Sequence, residues 1–346
     1  MIVQEMTSLE RVRNFKPESD RLFHSATHEE ILRGATTDIY FVRSYELLHH
    51  MGLGGTPVIA EVFARRSGVF VGVEDVKRLL ADKDVKMSSL DEGEEFDSRE
   101  VIMRIEGAYD EFGLFETVIL GCMASPSGWA TAARECKRAA GETPVYCFGA
   151  RHLHPAVAPV MERAAIIGGF DGASCILAAK FVGLEPVGTV PHAVILIMGD
   201  TVQVANIYDK VMPPDAPRIV LVDTFRDEAE EALMVAEALG DRLHGVRLDT
   251  PGERGGVTAE LVFEVRQRLD QKGFEQVKIM VSGGLNPERI IELKAAGAAA
   301  FGVGSYVTAA PPIDMTMDLK VVNGVPIAKR GRIPGITDNP KLKRQL

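Results

Sequence analysis

Two glycine-rich segments have the composition of a phosphate site. The first is Ser282-Gly283-Gly284 and the second is Gly302-Val303-Gly304-Ser305, and each begins at or just before the end of an apolar run. Backbone N–H groups that no side chain shields can come close to phosphate oxygens. A single glycine after a strand often does no more than make a tight turn. Because two consecutive apolar runs end in this way, we predict that the two segments together bind a phosphate group.

Carboxylates end two other apolar runs. Asp223 closes the run IVLVD, and Asp249 closes the run GVRLD, in which Arg247 points to the same side of the strand. Short carboxylates here could hold ribose hydroxyls or a magnesium ion that bridges pyrophosphate oxygens. An aspartate at a strand end can also cap the following helix. An unpartnered charge inside an apolar strand would be costly, so the Arg-x-Asp pair favours a binding site.

One histidine stands between a predicted strand and an apolar run. His192 follows the sequence VGTVP and precedes the apolar residues 193–198. Imidazole changes its charge near neutral pH and therefore often serves in catalysis. A histidine beside apolar residues is nevertheless more often a packing residue, so its immediate neighbours leave the function of His192 open.

The charge and the hydropathy of the chain exclude several classes of function. With 49 acidic and 39 basic residues, the formal net charge of −10 opposes the positive field that nucleic acids or anionic membranes require. The apolar stretches are far shorter than the roughly 20 residues that cross a bilayer, and the first residues do not resemble a secretory signal. We therefore expect no nucleic-acid partner, no membrane association and a cytoplasmic location. The cysteines form no C-x-x-C pair, which predicts reduced structural thiols.

From Val145 onward, short β-type runs alternate with longer helical patterns, as is typical of parallel βα units. The predicted strands are 145–148, 186–189, 219–222, 245–248, 278–281 and 300–303. The predicted helices are 155–167, 227–239, 258–271 and 287–296. Sites in such folds lie at the carboxyl ends of the strands, and the polar residues described above stand there. The pattern fits both a barrel and an open doubly wound sheet.

The two ends of the chain follow a different pattern. β-type runs at 57–63 and 100–106 occur among helices such as 73–80. The tail holds two short runs, 318–322 and 325–329, which are joined by the turn residues Asn323-Gly324. We predict that residues 1–125 and 311–346 form one α/β domain and that residues 126–310 form an α/β-barrel catalytic domain.

Several short motifs occur in order between Ser25 and Arg330, namely TDIY at 37–40, IEG at 105–107, FGAR at 148–151, GFDGAS at 169–174, GTVPH at 188–192, RLD at 247–249, SGGL at 282–285 and FGVG at 301–304. Their order and spacing resemble those of nicotinate phosphoribosyltransferases, in the type II phosphoribosyltransferase superfamily. Each motif is weak by itself. Together they cover nearly the whole chain.

The resemblance implies an irregular, incomplete α/β barrel plus an α/β domain built from the N- and C-terminal segments. It implies a homodimer, or a higher oligomer of dimers, arranged head to tail with sites near the subunit boundary. The pyridine ring would lie between Phe148 of one subunit and Tyr40 of the partner subunit. Arg151, Ser174 and Arg247 would surround the ring substituent and the sugar, and Thr189 would belong to the same substrate-binding set.

The resemblance also implies a reaction. Asp223 and Asp249 would hold the ribose or its metal, the two glycine segments would hold the 5′-phosphate, and His192 matches a histidine that family members phosphorylate from ATP. Nicotinate and phosphoribosyl pyrophosphate would give nicotinate mononucleotide and pyrophosphate, in NAD salvage, with ATP hydrolysis coupled through the phosphohistidine. Mg²⁺ would act through the substrate, with Asp249 as the side chain available to it, and no tightly bound organic cofactor is expected.

Other interpretations stay open. A quinolinate-type enzyme shares the fold, decarboxylates its substrate and uses no ATP, but it should need more basic residues around the ring than 148–174 supplies. A nicotinamide-using enzyme is disfavoured, because Ser174 stands where such relatives tend to carry an acidic residue. A phosphate-binding barrel isomerase or aldolase fits the glycine segments but lacks a lysine or glutamate at a strand end. A non-catalytic sensor would keep the pocket without turnover.

Overall fold

The computed structural model describes residues 5–19 and 21–346. Residues 1–4 and Asp20 lie outside the described part. Residues 1–4 begin the N-terminal segment that was compared above with a secretory signal. The chain forms two compact units, Met1–Thr131 with Pro311–Leu346, and Ala132–Ala310. None of the helices in the described part combines the length and the apolar character that a membrane crossing needs.

The strands and helices of the described residues are numbered in chain order. The strands are β1 Pro57–Ala64, β2 Gly68–Val69, β3 Val85–Ser89, β4 Glu95–Phe96, β5 Val101–Ala108, β6 Val145–Cys147, β7 Gly172–Ala173, β8 Ile219–Leu221, β9 Gly245–Leu248, β10 Lys278–Ser282, β11 Ala300–Val303, β12 Met315–Val322, β13 Val325–Pro326 and β14 Lys343–Arg344. The helices are α1 Leu9–Asn14, α2 His28–Leu32, α3 Ile39–His50, α4 Val73–Leu79, α5 Tyr109–Phe112, α6 Glu116–Ala140, α7 Ala158–Ile167, α8 Ile176–Phe181, α9 His192–Met198, α10 Thr201–Val211, α11 Glu228–Leu239, α12 Ala259–Gln271, α13 Pro287–Ala295 and α14 Ser305–Thr308. Short 3-10 turns lie at Gly113–Phe115, Ala150–His152, Gly240–Arg242 and Gly252–Arg254.

The first unit contains an antiparallel sheet with the strand order β13-β12-β1-β5-β3-β14. Alternate residues of a strand point to one face, and here that face carries apolar side chains such as Val62 and Ile105. These pack in one fully buried cluster with Val76 of α4 and Ile119 of α6. The predicted hairpin is confirmed, because Asn323-Gly324 joins β12 to β13 with φ values of 50° and 78°.

A buried carboxylate in this unit anchors the C-terminal segment. Glu61 of β1 is 1% exposed, and its Oε1 accepts hydrogen bonds from Arg104 Nη2 at 2.8 Å and from the Thr337 N–H at 3.0 Å. Arg104 also donates to the Thr337 carbonyl at 2.6 Å. The charge pair and the backbone contacts together fix the segment that follows β13.

The second unit contains a parallel sheet with the strand order β7-β6-β11-β10-β9-β8. β7 and β8 lie at its two edges, so the barrel is incomplete and the predicted fold class is confirmed. β10 is buried at every position except Lys278, as expected for a parallel strand between two covered faces. The predicted helices are confirmed with small shifts, for example 155–167 as Ala158–Ile167.

One predicted strand is wrong. Residues 186–189 form no strand, and the Val187 N–H makes one hydrogen bond to the Ala173 carbonyl at 2.9 Å. Pro186 lacks an N–H group, and Gly188 has no side chain that could pack against a sheet, so neither supports a ladder. The edge strand at this place is the two-residue β7, and Thr189 therefore lies on an extended loop before α9.

Candidate active site

A cavity of about 410 Å³ lies at the carboxyl ends of the parallel strands in the second unit. It is lined by Phe148, Ala150, Arg151, His152, Ser174, Val187, Gly188, Thr189, Arg247, Asp249, Ser282, Gly283, Gly284, Gly302, Gly304 and Ser305. All the site residues predicted from the sequence are among them, except Tyr40, His192 and Asp223. Because these positions are up to 157 residues apart in the chain, it is the parallel sheet that brings them together.

The two predicted phosphate segments form one side of this cavity. Gly283 and Gly284 have φ values of 93° and 61°, which residues with a side chain rarely adopt. Gly302 is required for a different reason, since a Cβ atom there would come within 2.5 Å of the Phe148 ring. The cavity is therefore bordered by bare backbone, to which an anionic group can come close.

Arg247 is the centre of a hydrogen-bonded network in the cavity wall. Its Nη2 donates to Asp249 Oδ2 at 2.9 Å, its Nε to Ser282 Oγ at 2.9 Å and its Nη1 to Thr189 Oγ1 at 2.8 Å. Ser282 Oγ in turn donates to Asp249 Oδ1 at 2.9 Å. The guanidinium also lies 5.3 Å from the centre of the Phe148 ring, within cation–π range. The charge of Arg247 is thus balanced by Asp249, and four side chains are held rigidly.

Asp223 and His192 lie beside this network and do not line the cavity. The Asp249 N–H donates to Asp223 Oδ2 at 2.6 Å, while Asp223 Oδ1 is buried, accepts no hydrogen bond from any described residue and lies 3.8 Å from His192 Nε2. His192 Nδ1 is 3.0 Å from Thr224 Oγ1. Burial raises the pKa of the Asp223 carboxyl, and the hydrogen bond from Asp249 opposes that rise. Asp223 Oδ1 is therefore an unused hydrogen-bond acceptor that faces His192.

Arg151 and Ser174 line the cavity just after β6 and β7. Arg151 is exposed, and among the described residues no hydrogen bond or ion pair engages its guanidinium. Ser174 Oγ donates to Glu162 Oε1 at 2.9 Å. Arg151 is therefore free to form a bidentate pair with a carboxylate ligand.

Tyr40 belongs to the first unit, where it lies in the first turn of α3 and is 53% exposed. Its predicted contact with a ring bound to the partner subunit stays a prediction. Four lining residues were not predicted from the sequence, namely Ala150, His152, Val187 and Gly188. Ala150 and Gly188 lie within the motifs FGAR and GTVPH, and His152 and Val187 lie directly beside them, so the motifs were their sequence signal.

The carboxylates of this site fit a magnesium ion that is held mainly by a substrate. Within the described residues, no three His, Cys, Asp or Glu side chains converge to form a complete protein metal site. Asp249 accepts hydrogen bonds on both carboxylate oxygens, and Asp223 keeps one oxygen free. Mg²⁺ commonly binds one or two protein carboxylates and takes its other ligands from phosphates and water. Asp249 and Asp223 would hold such an ion, which would neutralise charge on a pyrophosphate group.

Comparison with known proteins agrees with this architecture. The family model described as "Quinolinate phosphoribosyl transferase, N-terminal domain" matches residues 38–127, and the one described as "Quinolinate phosphoribosyl transferase, C-terminal domain" matches residues 129–318. The solved structure of a nicotinate-nucleotide pyrophosphorylase from Pyrococcus furiosus is 45% identical, with a TM-score of 0.88, and the match covers 91% of this chain and 82% of that one.

Two curated relatives carry different names. A nicotinate phosphoribosyltransferase of Bacillus subtilis is 33% identical over 227 residues, which cover 64% of this chain and 45% of the relative. A probable nicotinate-nucleotide pyrophosphorylase [carboxylating] of Methanothermobacter thermautotrophicus is 24% identical over 273 residues, which cover 77% of this chain and 90% of the relative. The chain thus spans less than half of the Bacillus subtilis relative. Since the C-terminal domain model alone matches more than half of the chain, the chain belongs to the quinolinate phosphoribosyltransferase family, in the type II phosphoribosyltransferase superfamily.

Proposed function

We propose that the chain transfers the phosphoribosyl group of phosphoribosyl pyrophosphate to the ring nitrogen of a pyridine carboxylate and so forms nicotinate mononucleotide for NAD biosynthesis. One observation carries this proposal. A single cavity combines bare backbone for a phosphate, the Arg247–Asp249 network for a sugar, and Phe148 beside the unpaired Arg151 for an aromatic acid. The names of the nicotinate phosphoribosyltransferase and of the nicotinate-nucleotide pyrophosphorylases described above agree with this product.

The chemistry follows from the charges and the geometry of the wall. The pyridine nitrogen forms a bond to C1 of the ribose while the bond from C1 to the pyrophosphate oxygen breaks, and the electron pair leaves with pyrophosphate. The sugar becomes cation-like during this step, and a nearby carboxylate such as Asp249 stabilises that charge. Phe148 would hold the ring in line for attack, which is catalysis by positioning. Bound Mg²⁺ would supply charge neutralisation for the pyrophosphate.

Quinolinate is the acceptor that the comparisons favour. Both family models carry its name, and the Methanothermobacter thermautotrophicus relative is called carboxylating. In that reaction the carboxylate next to the ring nitrogen leaves as CO₂, and the electron pair left on the ring carbon takes up a proton. This is one of the alternatives kept open above, and it has more support than the expected ATP-coupled nicotinate reaction.

Nicotinate is the second candidate, because the cavity is poor in unpaired positive charge. Two arginines line the cavity. Arg247 is neutralised by Asp249, and Arg151 has no partner among the described residues. One guanidinium suits an acid with one carboxylate, whereas quinolinate carries two. The pair of His192 and Asp223, which suits phosphoryl transfer from ATP, belongs to this second candidate, as does the name of the Bacillus subtilis relative.

The test is a product assay with matched substrates. Purified protein is incubated with phosphoribosyl pyrophosphate, Mg²⁺ and either quinolinate labelled in the carboxyl group next to the ring nitrogen or nicotinate, each with and without ATP. Equal amounts of nicotinate mononucleotide and labelled CO₂, independent of ATP, support the quinolinate reaction. Product from nicotinate, stimulated by ATP and no longer stimulated in His192→Ala, supports the second candidate. If neither acid gives product, the proposed function is wrong.

A homodimer or higher oligomer, the ring contact of Tyr40 with a partner subunit and a cytoplasmic location belong to the same proposal. They rest on the resemblance described above. Sedimentation of the purified protein tests the dimer directly.

A further inference from the structure

A buried glutamate lies behind the ring side of the cavity. Glu162 is the acidic residue of the otherwise mostly apolar helix α7, and it is completely buried. A carboxylate that is removed from water is strongly unfavourable unless hydrogen bonds compensate it. Its burial therefore requires a set of donors, and these donors identify what the residue holds in place.

The donors belong to two neighbouring strand ends. Glu162 Oε1 accepts hydrogen bonds from the Gly149 N–H at 3.1 Å, the Ala150 N–H at 3.0 Å and Ser174 Oγ at 2.9 Å. Its Oε2 accepts from the Cys175 N–H at 2.6 Å. Gly149 and Ala150 follow β6, and the other two residues follow β7. One carboxylate thus ties the end of β6 to the end of β7.

These two strand ends form the ring side of the cavity. Phe148 and Arg151 directly flank the pair of residues whose N–H groups Glu162 binds, and Ala150 and Ser174 themselves line the cavity. The hydroxyl proton of Ser174 is directed at Glu162, so its oxygen can offer only lone pairs to a ligand. Glu162 therefore binds the two residues between Phe148 and Arg151 and orients the hydroxyl of Ser174.

We propose that Glu162 is a positioning residue that sets the affinity of the enzyme for its pyridine acid; this inference rests on the proposed function. Without Glu162, three backbone N–H groups and a hydroxyl would converge, and such a set of donors binds anions. Glu162 fills this place from inside the protein. The carboxylate of the substrate is consequently directed to Arg151, on the open side of the cavity.

Glu162→Gln tests the proposal with almost no change of volume. An amide both donates and accepts, so its nitrogen must face at least one of the donors that Glu162 binds. Losing charge-assisted hydrogen bonds of this kind is expected to raise the KM for the pyridine acid about tenfold. The KM for phosphoribosyl pyrophosphate should stay within about twofold, because Glu162 contacts none of the glycine segments. A purely structural role would lower stability without this selective change of KM.

Two further variants separate positioning from packing. Ser174→Ala removes the hydroxyl that Glu162 orients. In the double variant, the effects of this change and of Glu162→Gln on the KM for the pyridine acid should be clearly less than additive. Glu231→Gln is the matched control, since Glu231 is a fully buried glutamate of the same unit that accepts a hydrogen bond from Thr201 Oγ1 at 2.7 Å. The control should leave the KM for the pyridine acid unchanged.

Amide hydrogen exchange makes the test independent of turnover. In Glu162→Gln, peptides that cover 148–152 and 174–176 should exchange faster than in the wild type, while other peptides of residues 132–310 should not change. Unchanged exchange in these peptides, or faster exchange with an unchanged KM for the pyridine acid, overturns the proposal. If Glu162→Gln does not fold, Ser174→Ala takes its place. A rise in its KM for the pyridine acid, without a rise in its KM for phosphoribosyl pyrophosphate, supports the proposal, and an unchanged KM for the pyridine acid overturns it. If the wild type uses no pyridine acid, the proposed function fails, while the exchange data still decide whether Glu162 holds these strand ends.

Discussion

Replacing Asp249 by asparagine should damage the reaction more than it damages the fold. In the wild type, Asp249 Oδ2 accepts from Arg247 and Oδ1 accepts from Ser282, and the side chains of the Arg247–Asp249 pair are only 15% and 19% exposed. Asparagine keeps the shape but puts an amide N–H opposite one of these two donors. It also leaves the guanidinium of Arg247 without a balancing charge in a largely buried place.

The expected fall in kcat/KM of Asp249→Asn combines two losses. A hydrogen bond to a charged group is worth about 1.5–3 kcal/mol. Removing one group that stabilises developing charge in a transition state typically lowers the rate by about 100- to 1000-fold. Since the second loss acts on the cation-like sugar, we expect kcat/KM to fall at least about 100-fold, which is about 3 kcal/mol of transition-state stabilisation.

Steady-state formation of nicotinate mononucleotide measures this loss, with whichever acid the wild type uses. Asp270→Asn is the matched control, because Asp270 forms an ion pair with Arg266 one helical turn away on α12, at 2.7 Å, and does not line the cavity. Because Asp270 lies outside the cavity, the control should keep full activity even if its stability falls. A fall of less than about tenfold in Asp249→Asn, with an intact thermal unfolding transition, would refute the role given to this carboxylate.

Three other perturbations test separate parts of the structure. Gly302→Ala places a Cβ atom within 2.5 Å of the Phe148 ring, so the ring must shift, and the KM for the pyridine acid should rise; an unchanged KM would show that the ring position does not matter. Arg218→Ala removes a buried guanidinium that donates to the Asp209 side chain at 3.1 Å and to the Pro213 carbonyl at 2.6 Å, and should cost about 3 kcal/mol of unfolding free energy in denaturant titration, with both KM values unchanged. Burial raises the pKa of Glu116 from 4.5 to about 7, so its ionisation destabilises the folded state as the pH rises through this window. Glu116→Gln should therefore unfold at a higher temperature than the wild type at about pH 8 and at the same temperature at about pH 4, and a difference that does not depend on pH would contradict this.

The strand ends could be predicted from the sequence because parallel strands place their carboxyl ends at one edge. Asp249, Gly283 and Gly302 each follow an apolar run, so locating the runs was sufficient to bring these residues to one cavity. No long-range information was needed beyond the alternation of strands and helices. Arg151 likewise follows a predicted strand, 145–148, whereas the resemblance added Ser174, whose immediate neighbours carry no comparable signal.

Other features depend on contacts that a local pattern does not contain. β7 has two residues and includes a glycine, so it is too short to be distinguished from a turn. Glu162 looks like the polar residue of a half-exposed helix, because three of its four donors are backbone N–H groups that any sequence could supply. The orphan oxygen of Asp223 likewise depends on the place of His192, which lies 31 residues earlier in the chain.

The strand order of the first unit has a consequence for synthesis on the ribosome. β1 lies between β5 and β12 in the finished sheet, but β12 emerges more than 240 residues after β1. Until then, one edge of β1 has no pairing strand, and its apolar side chains are partly uncovered while the barrel strands are being made. An unpaired apolar edge is a site of aggregation during folding. A nascent chain released before Met315 should therefore be captured by chaperones or aggregate through β1, whatever the state of the second unit.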